Sequence, residues 1–224
     1  MMQRVGANIL IKVLLVDDHG LVRMGVKKLL DDIIDISVVA ETESGEDALK
    51  YCRDNPVDVV LMDVKMPGIG GMEATRKLVR LVPGIKILAL SACDEDPFPS
   101  RLIQAGAVGY LTKGAEVDEM VLAIKSVYSG KRYISPEIAQ KMALKSLTDA
   151  DESPFDLLSE RELQVALMIT SGQKVQDIAE KLHLSSKTVN SYRYRIFSKL
   201  GIASDVELTH LAIRYGLVDK VDSL

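Results

Sequence analysis

Between residues 11 and 129, short β-branched apolar runs alternate with longer stretches of helical spacing. This alternation limits the possible folds more than any other feature of the chain. The apolar runs are Ile11–Val16, Ser37–Ala40, Val57–Met62, Ile85–Leu90 and Val108–Leu111; the helical stretches lie at about 20–32, 44–54, 70–81, 97–105 and 115–129. Neighbouring parallel strands need a long crossover, and a helix supplies it while covering one face of the sheet. Five strands and five helices in turn predict a five-stranded parallel sheet, doubly wound, with helices on both faces. The runs are continuously apolar rather than alternating, as strands buried on both sides require. Ser44 and Asp47 have capping-box spacing for the second helix, and Gly130 sits where a helix C-cap belongs.

Such a sheet binds ligands beyond the carboxyl ends of its strands. The residues that follow the runs are therefore the informative ones: Asp17 and Asp18 after the first, Asp63 after the third, Ser91 after the fourth and Lys113 after the fifth. Three carboxylates at one rim repel each other and call for a cation. A hard divalent ion such as Mg²⁺, with oxygen ligands and retained waters, suits them and bridges carboxylate to phosphate. An Asp carboxylate is a competent nucleophile toward phosphorus. Lys113 adds positive charge beside a phosphoryl group, and Ser91 offers it a hydroxyl.

After Gly130 the pattern changes. Residues 135–147 fit a short helix, residues 148–154 read as an acidic, polar linker ending in proline, and residues 159–216 read as all-helical. The net charge of −4 is unevenly spread. Lys181, Lys187, Arg193, Arg195 and Lys199 meet no acid between Glu180 and Asp205, so a basic stripe lies on an otherwise acidic chain. In Ser186–Leu200, Val189, Ile196 and Leu200 recur at core spacing with Tyr192 and Phe197 flanking, capped by Ser185 or Ser186. The opposite face shows Lys187, Asn190, Ser191, Tyr194 and Ser198, with Arg193 and Arg195 at its edges. Asn, Ser and Tyr read base edges, while Lys and Arg reach phosphates. The preceding helix, 175–182, is joined to it by only a few residues, which is helix-turn-helix spacing. Cys52 and Cys93 lack metal-ligand spacing and suit a reduced, cytoplasmic setting. The longest apolar stretch, Ala7 to Val16, is too short for a membrane span and is interrupted by Lys12.

The stretches VLLVDDHGLVR, VVLMDVKMPGIGG, ILALSA and GAVGYLTKG resemble the signatures of response-regulator receiver domains, which have a flavodoxin-like fold. The resemblance implies Asp63 as phosphoacceptor, and Asp18 and the Lys65 backbone carbonyl as Mg²⁺ ligands with Asp17 acting through water. It implies Ser91 and Tyr110 as a switch pair and Lys113 as the lysine that contacts the phosphoryl group. The sequence departs from the common pattern at Gly20 and at Gly114, where many receivers carry proline after the lysine. LSERELQVALMITSGQKVQDIAEKLHLSSKTVNSYRYRIFSKL resembles the LuxR-type DNA-binding domain, whose DNA-contacting positions fall on Lys187, Asn190, Ser191 and Tyr194; Arg193, Arg195 and Lys199 join them from the basic stripe. The whole resembles the NarL/FixJ family, and DEDPFPSRL, YISPEIAQKMA and DVELTHLAIRYGL are most similar to its GacA/UvrY-type global regulators.

The expected organisation is a receiver at 1–130, a linker at 131–154 and a helix-turn-helix domain at 155–224. The resemblance implies a hybrid sensor histidine kinase as phosphodonor, double-stranded DNA as partner, a homodimer on phosphorylation, no membrane, and promoters of small regulatory RNAs as targets. On this reading the chain is not an enzyme. Two other classes stay open: an aspartate-nucleophile phosphohydrolase, and an interaction protein whose receiver is never phosphorylated.

Overall fold

The computed structural model describes residues 10–91, 98–147, 153–215 and 217–218. The first region runs β1 (Ile11–Val16), α1 (Gly20–Asp31), β2 (Ile36–Thr42), α2 (Gly45–Asp54), β3 (Val59–Asp63), α3 (Gly70–Leu81), β4 (Lys86–Ser91), α4 (Phe98–Ala105), β5 (Gly109–Thr112) and α5 (Val117–Tyr128). All strands are parallel, in the order β2-β1-β3-β4-β5, and a short β6 (Tyr133–Ile134) extends the sheet beyond β5. This sixth strand was not expected. It is only two residues long, too short to show a periodicity, and it pairs through Tyr133 N–H to Val108 O and Ser135 N–H to Tyr110 O.

Successive side chains of a strand point to opposite faces, and β1 shows the result. Val13 and Leu15 join a core with Val26 and Leu30 of α1 and Ile124 and Val127 of α5. Leu14 and Val16 join the other core, with Ala48 and Cys52 of α2, Leu78 of α3 and Leu102 of α4. Truncating one such fully buried leucine to Ala costs about 2–5 kcal/mol. Ser44 caps α2 by accepting from Asp47 N–H; its hydroxyl donates to the Asp47 carboxylate, which is too short to close the reciprocal arm. Gly130 takes a positive φ of 85° just past α5, as a helix C-terminus demands.

Helix α6 (Pro136–Leu147) follows β6, and the second helical region opens with a 3-10 turn (Pro154–Leu157). It continues through α7 (Glu160–Thr170), α8 (Val175–Lys181), α9 (Ser186–Leu200) and α10 (Asp205–Arg214). Phe155, Leu163, Ile178, Val189, Ile196 and Leu208 form its buried centre, continuous with the core beneath α2, α3 and α4. Residues 148–152 of the expected linker, and Cys93, lie outside the described residues.

Candidate functional site

The five groups expected at one rim meet there. Asp63 ends β3 and is only 2% exposed. Lys113 Nζ lies 2.9 Å from Asp63 Oδ2 and 2.7 Å from Asp17 Oδ2. Gly114 has open space around it and has not kept the lysine from the site. Asp63 Oδ1 accepts from Lys65 N–H at 3.2 Å, so the loop after β3 is folded back onto the carboxylate. Ligand atoms of Asp17, Asp18, His19 and Asp63 all lie within 4.8 Å of one another.

Burial pushes the Asp63 carboxyl above the usual carboxylate range, and the neighbouring Asp17 adds to the rise; Lys113 and the Lys65 N–H pull the other way without cancelling it. Burial would lower the Lys113 ammonium, but its contacts with Asp17 and Asp63 outweigh that and hold it above an ordinary lysine. Asp17 Oδ2 and Asp18 Oδ1 are buried; Lys113 Nζ at 2.7 Å and His19 Nδ1 at 3.0 Å approach them as ion pairs, off the directions of a well-aligned hydrogen bond. Buried anionic oxygens without aligned donors are what a hard divalent cation satisfies, so the side chains present fit Mg²⁺.

Ser91 closes β4 and is 1% exposed. Tyr110 lies on β5 opposite Ala89 and is fully buried. The expected switch partner of Ser91 thus already lies inside the core, so any switch at Tyr110 starts from a buried ring.

In the helical region, α9 has the expected bounds. Ser185 Oγ caps it by accepting from Thr188 N–H, and Gly201 ends it at φ 66°. Lys187, Ser191, Tyr194 and Arg195 are exposed and Asn190 is half-buried. Tyr194 is 68% exposed. The remaining two cations are engaged. Arg193 forms a two-pronged ion pair with Asp205 at 2.6 Å for both bonds and lies over the Phe197 ring. Lys199 Nζ lies 2.6 Å from the buried Glu162 carboxylate and also donates to Leu157 O. Burial alone would raise the Glu162 carboxyl, but Lys199 and the Ser159 N–H and hydroxyl bring it below the usual range. The α8–α9 turn holds His183 at φ 52°, a left-handed position filled without glycine.

The loop after β3 is also where the two regions touch. Gly68 donates its N–H to Lys181 O at 3.2 Å and accepts at its carbonyl from Arg161 Nη1. Gln164 Nε2 donates to Met66 O at 3.1 Å. Arg161 Nη2 also donates to Leu182 O and Nη1 to Gln164 Oε1, bracing α7 against the end of α8. Arg101 of α4 reaches Asp156 at 3.6 Å. Between loop and helices lies a cavity of ≈ 380 Å³, lined by Met66, Met72, Phe98, Leu163, Leu167 and Met168 among others. Arg161 and Gln164 were not singled out from the sequence, whereas Gly68, with Pro67, is expected by the resemblance only to shape the loop after the acceptor. Arg161 did carry a signal: it stands in the first turn of α7, where the helix dipole disfavours a cation.

Residues 13–125 match the family described as response regulator receiver domain, and residues 156–212 match the bacterial regulatory proteins of the luxR family. The chain is 63% identical over 211 residues to the response regulator GacA of Pseudomonas syringae pv. syringae, covering 94% of this chain and 99% of that protein. It is 62% identical over 209 residues to the response regulator UvrY of Escherichia coli, covering 93% and 96%. The RcsB response regulator of Salmonella typhimurium superposes with a TM-score of 0.69 over 90% of this chain and 96% of that one; at 23% identity this likeness bears on the fold alone. No described helix is long and apolar enough to cross a membrane.

Proposed function

We propose that this chain, which belongs to the response regulators that join a receiver domain to a LuxR-type DNA-binding domain, takes a phosphoryl group on Asp63 and answers by changing how its output domain engages DNA. It is a transcription regulator of the two-component kind rather than an enzyme. The observation that carries the assignment is Asp63, buried at the end of β3 with Lys113 at 2.9 Å and two further carboxylates beside it. A carboxylate oxygen of Asp63 forms the new O–P bond while the P–N bond of a phosphohistidine on the sensor kinase breaks, and the imidazole leaves with the electron pair. Asp18, Asp63 and the Lys65 carbonyl, with Asp17 acting through water, would hold Mg²⁺, which would supply the charge neutralisation this transfer needs. Lys113 balances the added charge, Ser91 donates its hydroxyl to a phosphoryl oxygen, and Tyr110 repacks beside it.

The finer organisation is likewise proposed: a receiver at 1–130, a connecting segment at 131–154 and an output domain at 155–224. Lys187, Asn190, Ser191, Tyr194 and Arg195 form the DNA-reading face of α9. Arg193 and Lys199 reach phosphate only by giving up Asp205 and Glu162. Because Tyr194 and its neighbours are exposed while the output domain rests on the receiver, control is better read as rearrangement than as unmasking. The modified loop after β3 releases Arg161 and Gln164, and two output domains then pair on adjacent half-sites as a dimer. The identity to GacA and UvrY supports the subgroup reading, and on that reading the donor is a hybrid sensor kinase, the targets are promoters of small regulatory RNAs and the location is cytoplasmic.

Incubation with acetyl phosphate and Mg²⁺, followed by intact-mass measurement, is expected to add one phosphoryl group to the wild type and none to Asp63→Asn. Labelling that survives in Asp63→Asn refutes the acceptor. Many turnovers of a phosphate ester, in place of single labelling, would return the phosphohydrolase reading.

A further inference from the structure

We propose that His19 is a fourth protein ligand of the divalent-ion site, and that its ring nitrogen tilts the site's preference from Mg²⁺ toward Mn²⁺ and other transition ions. The inference rests on the assignment of Asp17 and Asp18 as ion ligands. It starts from a side chain that neither caps its helix nor packs in the core, but is held against Asp17 and Asp18. His19 is the N-cap of α1, yet its side chain makes no capping hydrogen bond. It is not a core histidine, because its side chain is 62% exposed. The ring is nevertheless turned to the rim: Nδ1 lies 3.2 Å from Asp17 Oδ1 and 3.0 Å from Asp18 Oδ1. The backbone is tied to the same carboxylate, since His19 N–H donates to Asp17 Oδ1 at 2.8 Å.

The four ligand atoms span at most 4.8 Å. Two ligands at roughly 2.1 Å from one ion stand up to about 4.2 Å apart, so a shift of a few tenths of an ångström in side chains suffices. A nitrogen donor matters for selectivity. Mg²⁺ takes oxygen ligands and holds its waters. Neutral imidazole is a ligand for the later divalent ions, whose affinity for a mixed N/O site rises along the Irving–Williams order. An ion shared by both would take the place of the 3.0 Å contact between His19 Nδ1 and Asp18 Oδ1.

The test uses the full chain and its three histidines, His19, His183 and His210. Protein labelled with ¹⁵N only in histidine is loaded with Mn²⁺ and studied by pulsed electron paramagnetic resonance. Titration calorimetry with Mg²⁺ and with Mn²⁺ runs in parallel on wild type and His19→Gln. The expected result is a ¹⁵N coupling in the wild type that vanishes in His19→Gln. Mn²⁺ affinity should fall at least roughly tenfold, as losing even an outer-sphere partner does, while Mg²⁺ affinity changes by less than about twofold. Mn²⁺ bound without ¹⁵N coupling overturns the proposal and leaves the carboxylate site intact. Equal losses of both ions overturn it too, by showing that His19 only positions Asp17. Mn²⁺ binding that persists in Asp17→Asn with Asp18→Asn overturns both this proposal and the ion site on which it rests.

Discussion

Replacing Arg161 with Ala tests whether this one side chain holds the output domain on the loop after Asp63. Its guanidinium makes one hydrogen bond across the interface, to Gly68 O, and two within the output domain, to Leu182 O and Gln164 Oε1. A hydrogen bond from a charged donor contributes roughly 1.5–3 kcal/mol. Burial disfavours the charged form of Arg161, and this offsets part of the gain, so the low end of that range applies. Gln164 keeps Met66 O, and Gly68 N–H keeps Lys181 O. Docking should therefore weaken by about 1.5–2 kcal/mol, a roughly 10- to 30-fold shift toward separated domains. Small-angle scattering should report a larger radius of gyration. If phosphorylation favours the separated arrangement, linkage requires separation to favour phosphorylation equally, so Arg161→Ala should label more fully at limiting acetyl phosphate. An unchanged radius together with unchanged labelling, in a variant whose circular dichroism is intact, refutes the latch. A loss of helical signal would instead show that Arg161 chiefly braces α7 against α8.

Three further outcomes follow from the electrostatics and the backbone. Asp63 has a folded-state pKa raised first by burial, so its contribution to stability is present below the ordinary carboxylate pKa and is lost as pH rises through the raised value. Asp63→Asn removes that loss and should be more stable than wild type near neutral pH by denaturant titration; equal or lower stability there contradicts the burial argument. Glu162 is held below the usual range despite its burial, chiefly by Lys199. Its stabilisation is present above the unfolded pKa of about 4.3 and is lost as pH falls through the lower folded value. Glu162→Gln should flatten the acid limb of a stability–pH curve and cost about 1–3 kcal/mol at neutral pH; an unaltered acid limb would show that Glu162 is not its source. His183 holds a left-handed backbone, which costs a non-glycine residue about 1–2 kcal/mol against about 0.5–1 kcal/mol for the extra freedom of glycine when unfolded. His183→Gly should therefore gain about 0.5 kcal/mol in the same titration, and a loss would mean that the ring makes a contact worth more than the strain.

The rim was legible because it needs only strand ends. Asp17, Asp18, Asp63, Ser91 and Lys113 each follow an apolar run, and parallel strands bring their carboxyl ends to one edge. Helix α9 was legible to the residue because a serine cap and a glycine stop bracket a clean apolar stripe. The interface between the regions was not legible, for a physical reason: its partners are mostly main-chain groups of Met66, Gly68 and Lys181, and peptide groups leave no mark in a sequence. The basic stripe misled in a related way. Arg193 and Lys199 meet no acid nearby along the chain, yet Asp205 and Glu162 reach them through the fold. Tyr110 was legible as a partner of Ser91 but not as an already buried ring, because exposure depends on how β5 and β6 pack.

The same main-chain character of the interface has a consequence for how such proteins can be recombined. On the receiver side the latch asks only for a carbonyl at position 66 and for a carbonyl and an N–H at position 68, which any chain following that loop path supplies. On the output side it asks for two side chains, Arg161 and Gln164. A chimera that keeps those two, the loop path, the arginine at position 101 and the apolar lining from Met66, Met72 and Phe98 should dock a foreign receiver. The hydrogen bonds of the joint thus depend less on receiver side chains than on output ones, and on the output side they come from α7 and the end of α8.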